Sequence, residues 1–135
     1  MPDQMTIEAY MAKAEESLAT AESEFASHRF NSCANRCHYA CYQAAIAALL
    51  RADIGPRSQR GHWGHEYVHA AFEGVLIERR KLYPGSLRDV LPKGHELRQI
   101  ADYGRQSVTQ KQADRMLHRG RAFVQAVRLP GGYRQ

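Results

Sequence analysis

The side chains best suited to chemistry fall in two short stretches. In 95-HELRQIADYGR-105, Arg98, Asp102 and Tyr103 stand at positions i, i+4 and i+5. On a helix, Arg98 and Asp102 share one face and can pair as guanidinium and carboxylate. In 32-SCANRCHYACYQAAIAALL-50, Asn35 and Arg36 interrupt an otherwise apolar run. A guanidinium in such surroundings must be paired, because a lone buried charge is too costly. Asp102 is the partner expected for it. Tyr39 and Tyr42 follow on the same helix and offer ring faces on which a base can stack. Asn35, Arg36, Tyr39, Arg98, Asp102 and Tyr103 are therefore expected to form a polar binding cluster between two helices.

Two other patterns carry metal chemistry as an alternative. The run 65-HEYVH-69 matches H-E-x-x-H, which on a helix sets His65 and His69 one turn apart on one face. There they could hold zinc while Glu66 activates water, with a third ligand from another element, for which Glu96 is the candidate. Outside that alternative no cofactor is expected. Cys33, Cys37 and Cys41 form an i, i+4, i+8 stripe. Ligands spread over two helical turns cannot converge on one ion, so these thiols are expected in the core as small hydrophobes.

The elements that must position these residues read as helical throughout. Ile7, Tyr10, Met11, Ala14, Leu18, Ala21 and Phe25 repeat every three or four residues, with Thr6 placed to cap and Glu8 in the first turn. The segment 28-HRFN-31 reads as a turn, with Asn31 capping a second helix over about 32–52 that is apolar nearly all round. Gly55-Pro56 stops it, and 55-GPRSQRGHWG-64 reads as a basic, mobile loop. A third helix is predicted over 65–81, with Val68, Ala71, Phe72, Val75 and Leu76 inward. Pro92 and Gly94 predict a turn before a fourth helix from about 95. Thr109 and Gln112 form a capping-box pattern opening a fifth helix, with Ala113, Met116, Leu117, Gly120, Phe123, Val124 and Val127 inward. No strand pattern appears, and short connections between long helices predict an all-α antiparallel bundle of four to five helices.

A chain of 135 residues suits one domain, 1–135, with its core over about 6–128 and a loose tail at 129–135. The net charge of +5 is unevenly spread. Asp3, Glu8, Glu15, Glu16, Glu22 and Glu24 face only Lys13 before residue 28, and every other Lys and Arg lies beyond it. Either this charge serves solubility and docks the first helix on basic neighbours, or it suits a nucleic-acid or acidic-protein partner. No run of 18 apolar residues suggests a membrane span. The N-terminal stretch lacks a signal pattern, and the odd number of cysteines fits a reducing compartment, so a cytoplasmic location is expected.

The combination resembles the HEPN family (higher eukaryotes and prokaryotes nucleotide-binding). The run 32-SCANRCHYACYQAAIAALL-50 is similar to the family's second helix, 98-RQIADYG-104 to its R-x-x-A-D-Y element, and 109–127 to its last helix. The stretches AEESLATAESEF and HRFNSCANR also fit, so the likeness runs from about Thr6 to Val127. It implies a helical bundle that is commonly a homodimer, often the toxin of a toxin–antitoxin pair with a nucleotidyltransferase partner. Active members are metal-independent ribonucleases with an R-x(4–6)-H motif. Here Tyr103 follows Arg98 where that motif puts histidine. Tyrosine ionises near pH 10 and is a weak general base at neutral pH. Arg88 with His95, and Arg57 with His62, satisfy the count, the first across Pro92 and Gly94 and the second in a loop. The function expected is binding of a nucleotide, RNA or a nucleotidyltransferase partner. A ribonuclease using Arg98 and Tyr103, or His95 or His62 as a shifted base, is the alternative, and a small zinc hydrolase is the third reading.

Overall fold

The computed structural model describes residues 3–129; the tail expected to be loose lies, from residue 130 on, outside them. Five α-helices follow in order: α1 (Gln4–Ala26), α2 (Phe30–Arg51), α3 (His65–Ala71), α4 (Val90–Tyr103) and α5 (Gln110–Arg128). A π-helical segment, Phe72–Arg79, continues α3, and a 3₁₀ turn spans Gly85–Leu87. No strand occurs among the described residues.

α2 is the central rod. Thirteen of its residues, from Cys33 to Leu50, are buried, and α1, α4 and α5 all pack on it. Its alanines let those helices come close. α5 comes close at Gly120, where a Cβ would stand 2.5 Å from the Cys37 Sγ. Directions follow from the pairings. α1 runs antiparallel to α2, with Ser17 bonded to Gln43 and Phe25 against Phe30. α4 is also antiparallel to α2, with Asp102 beside Asn35 and His95 beside His38. Cys33, Cys37 and Cys41 are all buried and free, and Cys37 Sγ donates to the Met116 carbonyl at 3.3 Å. Burial pushes the Cys33 thiol up to about 12, so these cysteines are core side chains.

The acidic first helix docks on α5 as its charge suggested. Arg128 grips Glu15 at 2.7 Å and Glu8 at 3.0 Å, and Arg121 grips Glu22 at 2.7 Å. α5 begins at the expected capping box, with Thr109 and Gln112 bonded reciprocally at 2.9 and 3.1 Å. All seven of its expected inward residues are buried.

Four local expectations are corrected. α1 is capped by Asp3, whose carboxylate accepts from Thr6 N at 2.8 Å, and Thr6 lies inside the first turn. Asn31 sits in the first turn of α2 and staples the α4–α5 connection instead, accepting from Val108 N at 2.8 Å and donating to Ser107 Oγ. The third helix switches to π geometry at Phe72, and the wider turn brings Ile77 into the core while Val75 is only partly buried. No turn precedes residue 95. α4 starts at Val90, so Pro92 falls in its first turn, where a missing N–H costs no helical bond. Gly94 is buried in that helix, within 3.8 Å of the His38 backbone if given a Cβ. The 55–64 loop is tied down by Tyr67 Oη donating to Gly55 O at 2.8 Å and by the buried ring of Trp63. It ends at Gly64, whose φ of 72° and ψ of 139° suit only glycine, so α3 can start abruptly.

Candidate functional site

The antiparallel contact of α2 and α4 sets the expected cluster on one ridge. Arg98 Nε donates to Asp102 Oδ2 at 3.1 Å across one helical turn. Asn35 Nδ2 reaches over from α2 and donates to both oxygens of the same carboxylate, at 3.2 and 3.0 Å. The side-chain oxygen of Asn35 in turn accepts from Arg36 Nε at 2.9 Å and from Arg36 Nη2 at 2.7 Å. The expected Arg36–Asp102 pair is therefore corrected: Asn35 stands between them as a relay. Its amide donates to the carboxylate with one end and accepts from the guanidinium with the other, which its two-ended chemistry allows.

Tyr39 is the centre of this ridge. The Arg36 guanidinium lies 5.0 Å from its ring centroid and that of Arg98 lies 5.6 Å away. Arg98 also lies 5.7 Å from the ring of Tyr103, which is 71% exposed at the end of α4. Both guanidiniums are thus held by hydrogen bonds on one side and by a ring face on another. Two clefts flank the ridge. One, of about 310 Å³, is lined by Asn31, Ser32, Asn35, Arg36 and Asp102. The other is a groove of about 510 Å³, lined by Tyr39, Tyr42, Trp63, His65, His95 and Arg98 among others.

His38, His65 and His95 line the larger groove, and with His69 beside them they form a histidine cluster that the sequence did not announce as a unit. His65 and His95 stack with centroids 4.1 Å apart and planes 19° apart. His69 lies 5.9 Å from His95, and His38 lies 5.7 Å from it on the α2 side. His38 is 4% exposed. Burial, then the neighbouring His95 and Arg98, pushes His38 down to about 3. Burial with His95 and His65 nearby takes His69 to about 4, and His95 is lowered by burial, His65 and Arg98. His38, His69 and His95 are neutral bases at pH 7. The signal in the sequence was the i, i+3 spacing of His95 and Arg98, which puts imidazole and guanidinium on one face of α4. Trp63 carried no periodic signal because it sits in a loop.

HEYVH does form helix, with His65 and His69 one turn apart and ring centroids 5.8 Å apart. Their nearest partner from another element is His95, and Glu96, the expected third ligand, lines a different cleft on α4. Among the described residues no group of three His, Cys, Asp or Glu is arranged to hold a metal ion. The flat stacking of His65 on His95 explains this, since lone pairs in two parallel ring planes do not meet at one point. Of the other motif pairs, Arg57 N donates to His62 O at 3.1 Å within the loop, and His62 borders the groove. Arg88 lies ahead of α4, bound to Glu78 and Glu73, and does not line the groove with His95.

The model of one family, the HEPN domain, matches residues 7–129. The chain belongs to the HEPN domain family. Its R-x-x-A-D-Y element, 98–103, is the stretch that builds the ridge, with both the arginine and the aspartate engaged. A relative from Methanocaldococcus jannaschii, named "Putative toxin MJ0605", is 25% identical over 122 residues, covering 90% of this chain and 86% of its own length. Among the described residues no helix is long and apolar enough to cross a membrane.

Proposed function

We propose that this HEPN protein binds RNA or a nucleotide on the ridge formed by Arg36, Tyr39 and Arg98, in a toxin–antitoxin setting with a nucleotidyltransferase-type partner. The observation that carries this reading is two fixed guanidiniums bracketing one tyrosine ring at the rim of an aromatic groove. Phosphate suits the guanidiniums, and the partly exposed ring of Tyr42 in the groove suits a base. Asp102 occupies only Nε of Arg98 among the described residues, which leaves the terminal nitrogens to a ligand. Asn35 and Asp102 position the cations, and exposed Tyr103 adds a further stacking face or the seam of a homodimer. The named toxin relative supports the setting.

The test is RNA and ATP binding by the wild type and by Arg98→Ala, with circular dichroism confirming that the variant folds. A loss of at least tenfold in affinity is expected. Equal binding by both proteins removes Arg98 from the site.

A second reading is favoured by one specific feature: neutral His95 stands on the same wall as Arg98. A neutral imidazole can take the proton of a ribose 2′-hydroxyl while a guanidinium steadies the phosphate charge. In that reading His95 serves as base where the family motif would place its histidine at Tyr103. Cell toxicity on expression that disappears with either Arg98→Ala or His95→Ala supports it, and toxicity untouched by both substitutions rejects it.

A further inference from the structure

We propose that the cleft between α4 and α5 holds a second phosphate of the same RNA strand, a site separate from the Tyr39 ridge. This inference rests on the RNA-binding reading and extends it to the other flank of α4. The cleft encloses about 150 Å³ and is lined by Lys93 from α4 and by Gln112, Arg115 and Arg119 from α5. Glu96 is the one acid on its wall, so the lining carries a positive excess. Leu97 and Met116 form the apolar part, against which long basic side chains can lay their stems.

The charge partition on α5 singles these cations out. Arg121 and Arg128 face α1 and are neutralised by Glu22, Glu8 and Glu15. Lys111, Arg115 and Arg119 instead form an exposed i, i+4, i+8 stripe on α5. Among the described residues the side chains of Arg115, Arg119 and Lys93 make no ion pair or hydrogen bond. Like charges one turn apart repel, so this stripe disfavours the helix until an anion arrives. Two arginines and a lysine converging from two helices can fork onto the oxygens of one phosphate, and Gln112 adds a neutral donor. On α4, Lys93 and Leu97 mark this cleft while His95 and Arg98 mark the groove. An RNA strand that crosses α4 meets both.

The experiment has two arms. First, inorganic phosphate is titrated into the ¹⁵N-labelled protein while arginine Nε and glutamine side-chain signals are followed, for the wild type and for Arg115→Gln/Arg119→Gln. These residues are exposed, so the double variant should fold, and Arg98→Ala serves as the control for the other site. Saturable shifts at Gln112 and in arginine Nε signals that vanish in the double variant, and persist in Arg98→Ala, are the expected result. Absence of any saturable shift there overturns the site. Second, binding of a fluorescent oligouridylate is measured against salt. Each phosphate neutralised on a single strand contributes about 0.7 to the slope of log K against log salt. The double variant should therefore lose about 0.7 of slope while still binding RNA. An unchanged slope and affinity overturns the inference and leaves the ridge intact. Wild type that binds phosphate but no RNA overturns the inference and leaves the ridge to its ATP-binding test, and tighter binding of polyglutamate than of RNA would overturn it by assigning the cleft to an acidic protein.

Discussion

At the scale of single residues, the groove depends on histidines that stay neutral. Their folded-state values, about 3 for His38 and about 4 for His69, lie below the ordinary 6.5. Above pH 6.5 folded and unfolded chains both hold these rings neutral, and they add no pH dependence. Between about 6.5 and 4 the unfolded chain takes up protons that the folded chain refuses, so stability falls as pH falls. Each such ring contributes a slope approaching 1.4 kcal/mol per pH unit in that window. Glu15, held below its ordinary 4.5 chiefly by its hydrogen bond to Arg128, loses its contribution only at lower pH. Urea unfolding of the wild type from pH 7 to 4.5 should show the decline. His38→Gln should flatten it by about 1.4 kcal/mol per pH unit where His38 alone would have titrated. A slope identical in both proteins would mean that His38 takes up protons equally in the native and unfolded states. Three side chains of the ridge were legible as types at a spacing: Arg98 and Asp102 at i, i+4, and Arg36 in an apolar helix. The relay through Asn35 was not, because an amide can donate or accept and only the register of α2 against α4 decides which end meets the carboxylate.

At the scale of elements, what could be read depended on how periodic each helix was. α5 was legible to the residue because its buried and exposed faces alternate cleanly around a regular 3.6-residue turn. In the third helix Phe72 and Leu76 are buried as expected, but nothing in the side chains marks the change to π geometry that turns Ile77 inward. α4 was mis-started because Pro92 looks the same in a turn as in a first helical turn. The two buried glycines give a paired prediction. At Gly120 a methyl group would stand 2.5 Å from the Cys37 sulfur, fixed in the core of α2. At Gly94 the nearest atom is the Met116 Cε at 3.3 Å, the end of a flexible side chain. Gly120→Ala should therefore destabilise by about 1–3 kcal/mol through overpacking. Gly94→Ala should come out within about 1 kcal/mol of neutral, with the helix-propensity gain of alanine offsetting the adjustment of Met116. Chemical denaturation of both variants checks the order. Equal losses would show that α5 can slide on α2 more easily than its packing implies.

At the scale of the whole molecule, charge is distributed so that one set of acids guards one set of bases. Glu8 and Glu15 of α1 hold Arg128 at the far end of α5, while the cations near α4 are left to solvent or ligand. These pairs are largely exposed, so their worth to stability should stay below about 1 kcal/mol. Their larger effect is on the field of the protein. Replacing both carboxylates, Glu8→Gln and Glu15→Gln, raises the net charge from +5 to +7, since two negative charges are removed. RNA affinity at low salt should then rise through a longer-range, sequence-independent attraction. That gain should fade as ionic strength approaches about 1 M, where the screening length shrinks to about 3 Å. The loss caused by Arg98→Ala should persist at high salt to the extent that fixed hydrogen bonds and ring stacking, rather than field, hold the ligand. Measuring oligouridylate binding by both variants across a salt series separates the two contributions. If the Arg98→Ala defect also vanishes at high salt, the ridge acts only as part of a diffuse positive surface, and the precise geometry of Asn35, Asp102 and Tyr39 contributes nothing to recognition.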